Sequence, residues 1–181
     1  ARLLVMQDGG SLPVGKRTLQ FMDTPGHARH HFCVWDEHSR GWFSGDTFGI
    51  SYRELDTARG PFIFPTTTPI QFDPPALAES VERLMERRPE NMYLTHFGRV
   101  RDLRRLADDM LAGIEQFARW GETFAADERR ERIEGAMMDW LVARARKHGV
   151  ACPDTVLREV FQGDVTLNTQ GIEFWLDHGR G

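Results

Sequence analysis

The sequence predicts an α/β fold, and three observations carry that prediction. Residues 1–70 break into short β-favouring runs separated by turn signals. A capped amphipathic helix that starts at Asp73 is followed at once by a short apolar strand, a helix-then-strand order typical of α/β chains. Beyond residue 102 the apolar residues keep helical spacing almost to the end.

Taken in order, a first strand is expected over residues 2–7, closed by the turn Asp8-Gly9-Gly10. Residues 18–22 lead into Thr24-Pro25-Gly26-His27. Residues 31–35 form an apolar β run closed by Asp36-Glu37-His38-Ser39-Arg40-Gly41, a hairpin loop. Residues 41–44 return as a strand that ends at Gly45-Asp46. Residues 48–70 show no periodicity and are rich in Gly, Pro and Thr; a loop of that length in a compact domain is more often functional or partner-covered than idle.

Asp73 caps the next helix and Pro74 occupies its first position, where no hydrogen bond is lost. Leu77, Val81, Leu84 and Met85 form its apolar face, and Pro89 follows its end. Residues 92–94 are then a buried strand that ends at Thr95-His96. A long helix follows, with Leu103, Leu106, Met110, Ile114 and Phe117 on one stripe. Residues 128–147 carry a second stripe, with Ile133, Met137, Trp140 and Leu141. Pro153-Asp154 opens a shorter helix, and Asn168 is read as the cap of a last one that carries Ile172, Trp175 and Leu176 and stops at Gly179.

With 181 residues, 40% of them hydrophobic, the chain can bury one core with a helical appendage. The formal charge of -4 argues against a general nucleic-acid binder. The arginines at 99, 101, 104, 105, 129, 130 and 132 interleave with Asp102, Asp108, Asp109, Glu128 and Glu131, as on a solvated helix face. No apolar run reaches the roughly 18 residues that span a bilayer, so no membrane partner is expected. Cys33 and Cys152 are too far apart to make a disulfide framework, and a reducing, cytoplasmic setting is expected.

Three residues stand out as metal ligands: His27, Asp46 and His96. Each follows a strand and sits in or beside a Gly-containing turn, and they are far apart in sequence, so only tertiary structure can gather them. Imidazole with carboxylate suits zinc, iron or manganese better than calcium. Taken singly each is ordinary, since a lone histidine is mostly a surface or core hydrogen-bonding group and Gly-Asp is mostly a turn. The joint pattern is what points to a metal site.

That pattern, Thr24-Pro25-Gly26-His27 with Ser44-Gly45-Asp46 and Thr95-His96, resembles the second half of the metallo-β-lactamase-fold hydrolases, close to the glyoxalase II-like branch. The resemblance covers residues 1–120 and implies an αββα sandwich, mainly its second half, followed by a helical C-terminal extension over 121–181. By carry-over His27 binds a first metal, Asp46 bridges two, and His96 binds the second; His31 is structural rather than a ligand. The cofactor implied is two Zn2+ per complete site, with Fe or Mn as alternatives. The implied reaction is attack of a metal-activated water on an ester, a thioester or a similar bond of a small-molecule substrate.

The family's H-x-H-x-D-H motif is absent from residues 1–181. The chain opens on Ala1 and runs at once into Leu3-Leu4-Val5-Met6, so it is expected to be part of a longer product, or to be completed by another chain that carries the N-terminal half. A half-sandwich exposes a sheet face, which favours a homo-oligomer. Two further readings are a mononuclear-iron enzyme resembling persulfide dioxygenases and a metal-free binding or assembly module. Met137, Trp140, Phe161, Trp175 and Leu176 are read as core or dimer interface in preference to a substrate pocket, and Tyr52 and Arg53 as loop residues placed where they can reach substrate.

Overall fold

The computed structural model describes residues 4–124 and 127–178. Six strands form one sheet in sequence order: β1 (Ser11–Val14), β2 (Arg17–Asp23), β3 (Phe32–Asp36), β4 (Gly41–Gly45), β5 (Asn91–Leu94) and β6 (Gly98–Val100). All neighbours are antiparallel except β4 and β5, which are parallel. Parallel neighbours need a crossover, and helix α1 (Pro74–Glu86) lies in that connection. Helices α2 (Leu103–Thr123), α3 (Arg129–His148) and α4 (Asp154–His178) follow and pack on one another, with α1 against α2.

The two-residue alternation along β3, β4 and β5 separates two faces. Cys33, Trp35, Trp42, Met92 and Leu94 are buried in the core with Leu77, Val81 and Leu84 of α1. The Trp42 indole N–H donates to the Leu84 carbonyl at 2.9 Å, which satisfies a last-turn carbonyl of α1 and ties that helix to the sheet. On the opposite face the register brings Phe21, Val34, Phe43 and Tyr93 into one row. Phe43 stacks on Tyr93 at 4.8 Å, yet Phe43 is 47% exposed and Phe32 on the same face 55%.

The helix over α1 starts as expected: Asp73 Oδ1 accepts from the Ala76 N–H. Four expectations are corrected. The first strand does not lie over residues 2–7: residues 1–3 fall outside the described residues and 4–7 are irregular, while the outer hairpin is β1–β2. A further strand, β6, pairs with β5 before the next helix, so His96, which follows a strand as expected, sits in a hairpin turn. Residues 48–70, expected as a functional or partner-covered loop, are largely built into the core: Phe48, Ile50, Leu55, Phe62, Ile63 and Phe64 are core residues, and Ile50 bridges Phe64. Residues 154–178 form one helix, not two, and Asn168 is buried inside it with no capping role; the expected stop at Gly179 lies outside the described residues.

Met137 and Phe161 are core residues, with Trp140 and Leu176 packed against them. The arginines of α3 pair across to α4, Arg129 with Asp177 and Arg130 with Glu173, with Arg129 and Glu173 largely buried between the helices. No helix among the described residues is long and apolar enough to cross a membrane.

Candidate metal centre

The segment after β2 is seated on the first turns of α1. Gly26 has φ +124, and a Cβ there would lie 2.2 Å from the Leu77 backbone nitrogen, so only glycine fits. Its carbonyl accepts from the Asp73 N–H at 2.9 Å, and the Ser80 hydroxyl donates to the Pro25 carbonyl at 2.7 Å. His27 follows on this fixed backbone and is 8% exposed. Its Nδ1 lies 2.9 Å from the Thr66 carbonyl. A carbonyl can only accept, so Nδ1 carries the proton, and in the neutral ring Nε2 keeps its lone pair. That atom lies 3.5 Å from Asp46 Oδ2.

Asp46 is aimed by the turn that ends β4. Gly45 has φ +52, and a Cβ there would meet His31 Nε2 at 2.4 Å. That same nitrogen accepts from the Asp46 N–H at 3.1 Å. In the neutral His31 ring Nδ1 then holds the proton and donates to Thr47 Oγ1 at 2.9 Å. The Thr47 hydroxyl donates to Thr24 Oγ1, Thr24 lies 3.2 Å from Cys33 Sγ, and the Cys33 thiol donates to the Ser44 carbonyl. Every donor in this buried row finds an acceptor, so the turn is held from beneath by a directed chain of hydrogen bonds. Burial pushes His31 below its ordinary pKa, reinforced by the neighbouring His27, while the Asp46 carboxylate pulls the other way. Burial pushes the Cys33 thiol up to about 11, which keeps it a donor. His31 is thus a support for Asp46.

His96 lies in the β5–β6 turn, where Phe97 adopts φ +72 and Gly98 φ +83. Its Nε2 lies 3.6 Å from Asp46 Oδ1. The structure therefore brings His27, Asp46 and His96 together, one histidine against each carboxylate oxygen. His30 is not among them; it is exposed and lines a cavity of about 570 Å³ with Phe21 and Phe32.

The spacing is informative. At 3.5 and 3.6 Å the two contacts are longer than N–H···O hydrogen bonds, which run about 2.7–3.2 Å. Two ligands at about 2.0–2.2 Å from one tetrahedral ion stand roughly 3.4 Å apart. Asp46 Oδ1 is also buried without a hydrogen-bond partner, which is costly unless something else binds it. The donor set thus fits transition-metal ligation. Among the described residues no three His, Cys, Asp or Glu side chains converge on a single ion position. Each half of the site offers one imidazole and one carboxylate oxygen.

Several contributors were not read from the sequence. The Thr66 carbonyl acts through its backbone and leaves no sequence signal. Asn168 donates to the Pro65 carbonyl and accepts from the Thr67 N–H, and so holds the segment that holds His27; a polar residue on the apolar stripe of Phe161, Val165 and Ile172 is the signal that was available. Tyr52, already singled out as a loop residue within reach of substrate, packs its ring at a tilt 4.8 Å from Phe97, beside His96, and donates its hydroxyl to Asp164 Oδ2 at 2.7 Å. Burial raises the pKa of both Tyr52 and Asp164, and the hydrogen bond from Tyr52, then His96, partly offset the rise at Asp164. Arg53 instead turns to Asp56 and to the Arg99 carbonyl.

Comparison with known proteins agrees with this fold. The chain is similar in fold to an archaeal metallo-beta-lactamase superfamily protein from Sulfolobus tokodaii, with a TM-score of 0.56 and 20% identity over 94% of this chain and 51% of that one. It is similar to a metallo-beta-lactamase family protein from Thermus thermophilus, with a TM-score of 0.55 and 17% identity over 99% of this chain and 50% of that one. A stereoselective inverting sec-alkylsulfatase from Pseudomonas sp. gives a TM-score of 0.50 and 14% identity over 99% of this chain and 27% of that one. The chain thus spans about half the length of the first two solved structures it resembles. No curated protein sequence matches it significantly. The sequence model of the metallo-beta-lactamase superfamily matches residues 3–96, more than half of the chain and ending on His96. With the fold and the sequence match in agreement, the chain belongs to the metallo-beta-lactamase superfamily.

Proposed function

We propose that this chain supplies one side of a two-metal hydrolytic centre, with His27 and His96 as ligands to different ions and Asp46 as the bridge between them. The observation that carries the reading is the placing of the two Nε2 atoms against opposite oxygens of one carboxylate, at 3.5 and 3.6 Å. Bound ions, zinc first by donor type with iron or manganese also suited, supply a water acidified to a pKa of about 7 and polarise the bond to be cleaved.

The chain's own residues hold the site in shape. His27 is kept in the Nδ1–H tautomer by the Thr66 carbonyl, so its Nε2 is free to ligate. His31 fixes the Asp46 backbone and so the aim of the carboxylate. One imidazole and one carboxylate oxygen per ion fall short of the four-coordination that zinc takes. The remaining ligands come, in this reading, from a segment bearing H-x-H-x-D-H, in the same gene product or another chain. The exposed row at Phe32 and Phe43 supports it, because an apolar sheet face of that kind asks for a covering layer. Residues 1–120 are then the half-domain and 121–181 the helical extension, and the substrate is a small molecule with an ester, thioester or related bond.

The test is hydrolysis of an ester and thioester panel by the chain with zinc, with and without a supplied H-x-H-x-D-H half. Turnover only with both is expected. Metal-independent turnover by the chain alone contradicts the reading. One bound iron with persulfide-dependent oxygen uptake replaces it with the oxidative alternative, and no metal uptake by the completed protein replaces it with a binding module.

A further inference from the structure

The C-terminal helix reaches the candidate centre through a short strap of backbone. Residues 65–68 lie between α4 and His27. On the α4 side, Asn168 is fully buried, and its side chain accepts from the Thr67 N–H at 2.8 Å and donates to the Pro65 carbonyl at 3.2 Å. Gly171, one turn on, lies so close that a Cβ would stand 2.2 Å from Thr67 Oγ1 and 2.7 Å from the Thr68 carbonyl. On the other side the strap grips His27 at its ring and at its carbonyl. The Thr66 carbonyl accepts from the ring Nδ1–H at 2.9 Å, and the Thr68 hydroxyl donates to the His27 carbonyl at 2.8 Å. The Thr68 N–H reaches the same carbonyl at 3.3 Å.

We propose that Asn168 is a positioning residue for His27: through the 65–68 strap, α4 sets both the place of the imidazole and which of its nitrogens is free to face Asp46. A free imidazole in water prefers the opposite tautomer, with the proton on Nε2. A proton there would block the nitrogen that faces the carboxylate. The strap removes that option by presenting an acceptor at Nδ1, and the strap stays in register because Asn168 satisfies one donor and one acceptor on either side of Thr66. Asn is suited to this because its amide carries both functions. The role of Nε2 as a ligand rests on the two-metal reading; the control of the tautomer does not.

The experiment is ring 15N NMR of the metal-free 181-residue chain, labelled at histidine, at a pH above about 8 where an ordinary imidazole is neutral. His27 should show the Nδ1–H pattern. In Asn168→Ala the ratio of Nδ1–H to Nε2–H should fall about tenfold, the size expected when one net hydrogen bond is lost. Gly171→Ala, which pushes on the strap from the same helix one turn on, should move it the same way. Asn168→Asp keeps the acceptor for Thr67 and should retain more of the Nδ1–H form than Asn168→Ala. His31, whose ring is fixed by the Asp46 N–H and Thr47, should be unchanged in all three. If Asn168→Ala also erases the His31 signature it has lost its fold, and Gly171→Ala decides. An unchanged His27 tautomer in folded Asn168→Ala, or in folded Gly171→Ala where Asn168→Ala does not fold, overturns the proposal. Because no metal is present, that result leaves the two-metal reading standing, and a failure of metal binding leaves this one standing.

Discussion

Replacing Gly45 with alanine probes the support beneath Asp46 directly. Gly45 has φ +52, and an added Cβ would lie 2.4 Å from His31 Nε2, the atom that accepts from the Asp46 N–H. Three costs combine. An L-residue in the left-handed region costs about 1–2 kcal/mol. Forcing a methyl against a packed ring costs about 1–3 kcal/mol. Displacing the ring loses a hydrogen bond of about 1 kcal/mol. Gly45→Ala should therefore destabilise the chain by roughly 3–6 kcal/mol. Read by urea unfolding, with a slope of about 2 kcal/mol/M, the midpoint falls by roughly 1.5–3 M. The decisive comparison is a double-mutant cycle. In a His31→Ala background the ring and its bond are already gone, so Gly45→Ala should cost only the backbone part, about 1–2 kcal/mol. An equal cost in both backgrounds, or a cost below about 1 kcal/mol in the parent, refutes the packing argument.

Other outcomes follow from the same geometry. Iodoacetamide should alkylate the partly buried Cys152 of the native chain and spare Cys33, whose thiol is buried and raised to about 11; comparable native-state rates contradict this. Because Cys33 is raised from 9.0, its contribution is fully present below pH 9.0 and lost as pH rises through about 11, so the urea midpoint should fall across that range, and less steeply in Cys33→Ala. Trp42→Phe strands the buried Leu84 carbonyl and should cost about 1–3 kcal/mol in urea unfolding; a neutral effect means the indole bond is dispensable. Asp73→Ala removes the α1 cap and should cost about 1 kcal/mol by the same assay, with Asp73→Asn close to the parent; equal losses point to charge and not to capping.

The candidate ligands His27 and Asp46 were legible because the backbone before each demands unusual residues. Pro25-Gly26 and Gly45 precede them where a Cβ would strike Leu77 or His31. The capped α1 was legible for a similar reason, since Asp73-Pro74 serves the free N–H groups of a first turn. The two edge strands were not. β1 carries Pro13, which an edge tolerates but a strand pattern penalises, and β6 is only Gly98-Arg99-Val100. Asn168 was read as a cap because asparagine favours caps, whereas here its amide serves the 65–68 strap from inside a continuous helix. The core role of residues 48–70 was hidden because their apolar residues follow no period; they fill space between α2 and α4 and present no single face. The convergence of Tyr52, Asp164 and Phe97 beside His96 joins residues 112 positions apart, which only the fold reveals.

The central claim is that Asp46 serves two ions at once, and metal stoichiometry tests it most directly. The chain completed with an H-x-H-x-D-H half should retain two zinc ions after dialysis, measured by elemental analysis. His27→Ala and His96→Ala should each retain one, and Asp46→Ala none, while the chain alone should retain less than one. An Asp46→Ala protein that keeps one or two ions, or histidine variants that each lose both while Asp46→Ala does not, contradicts the account.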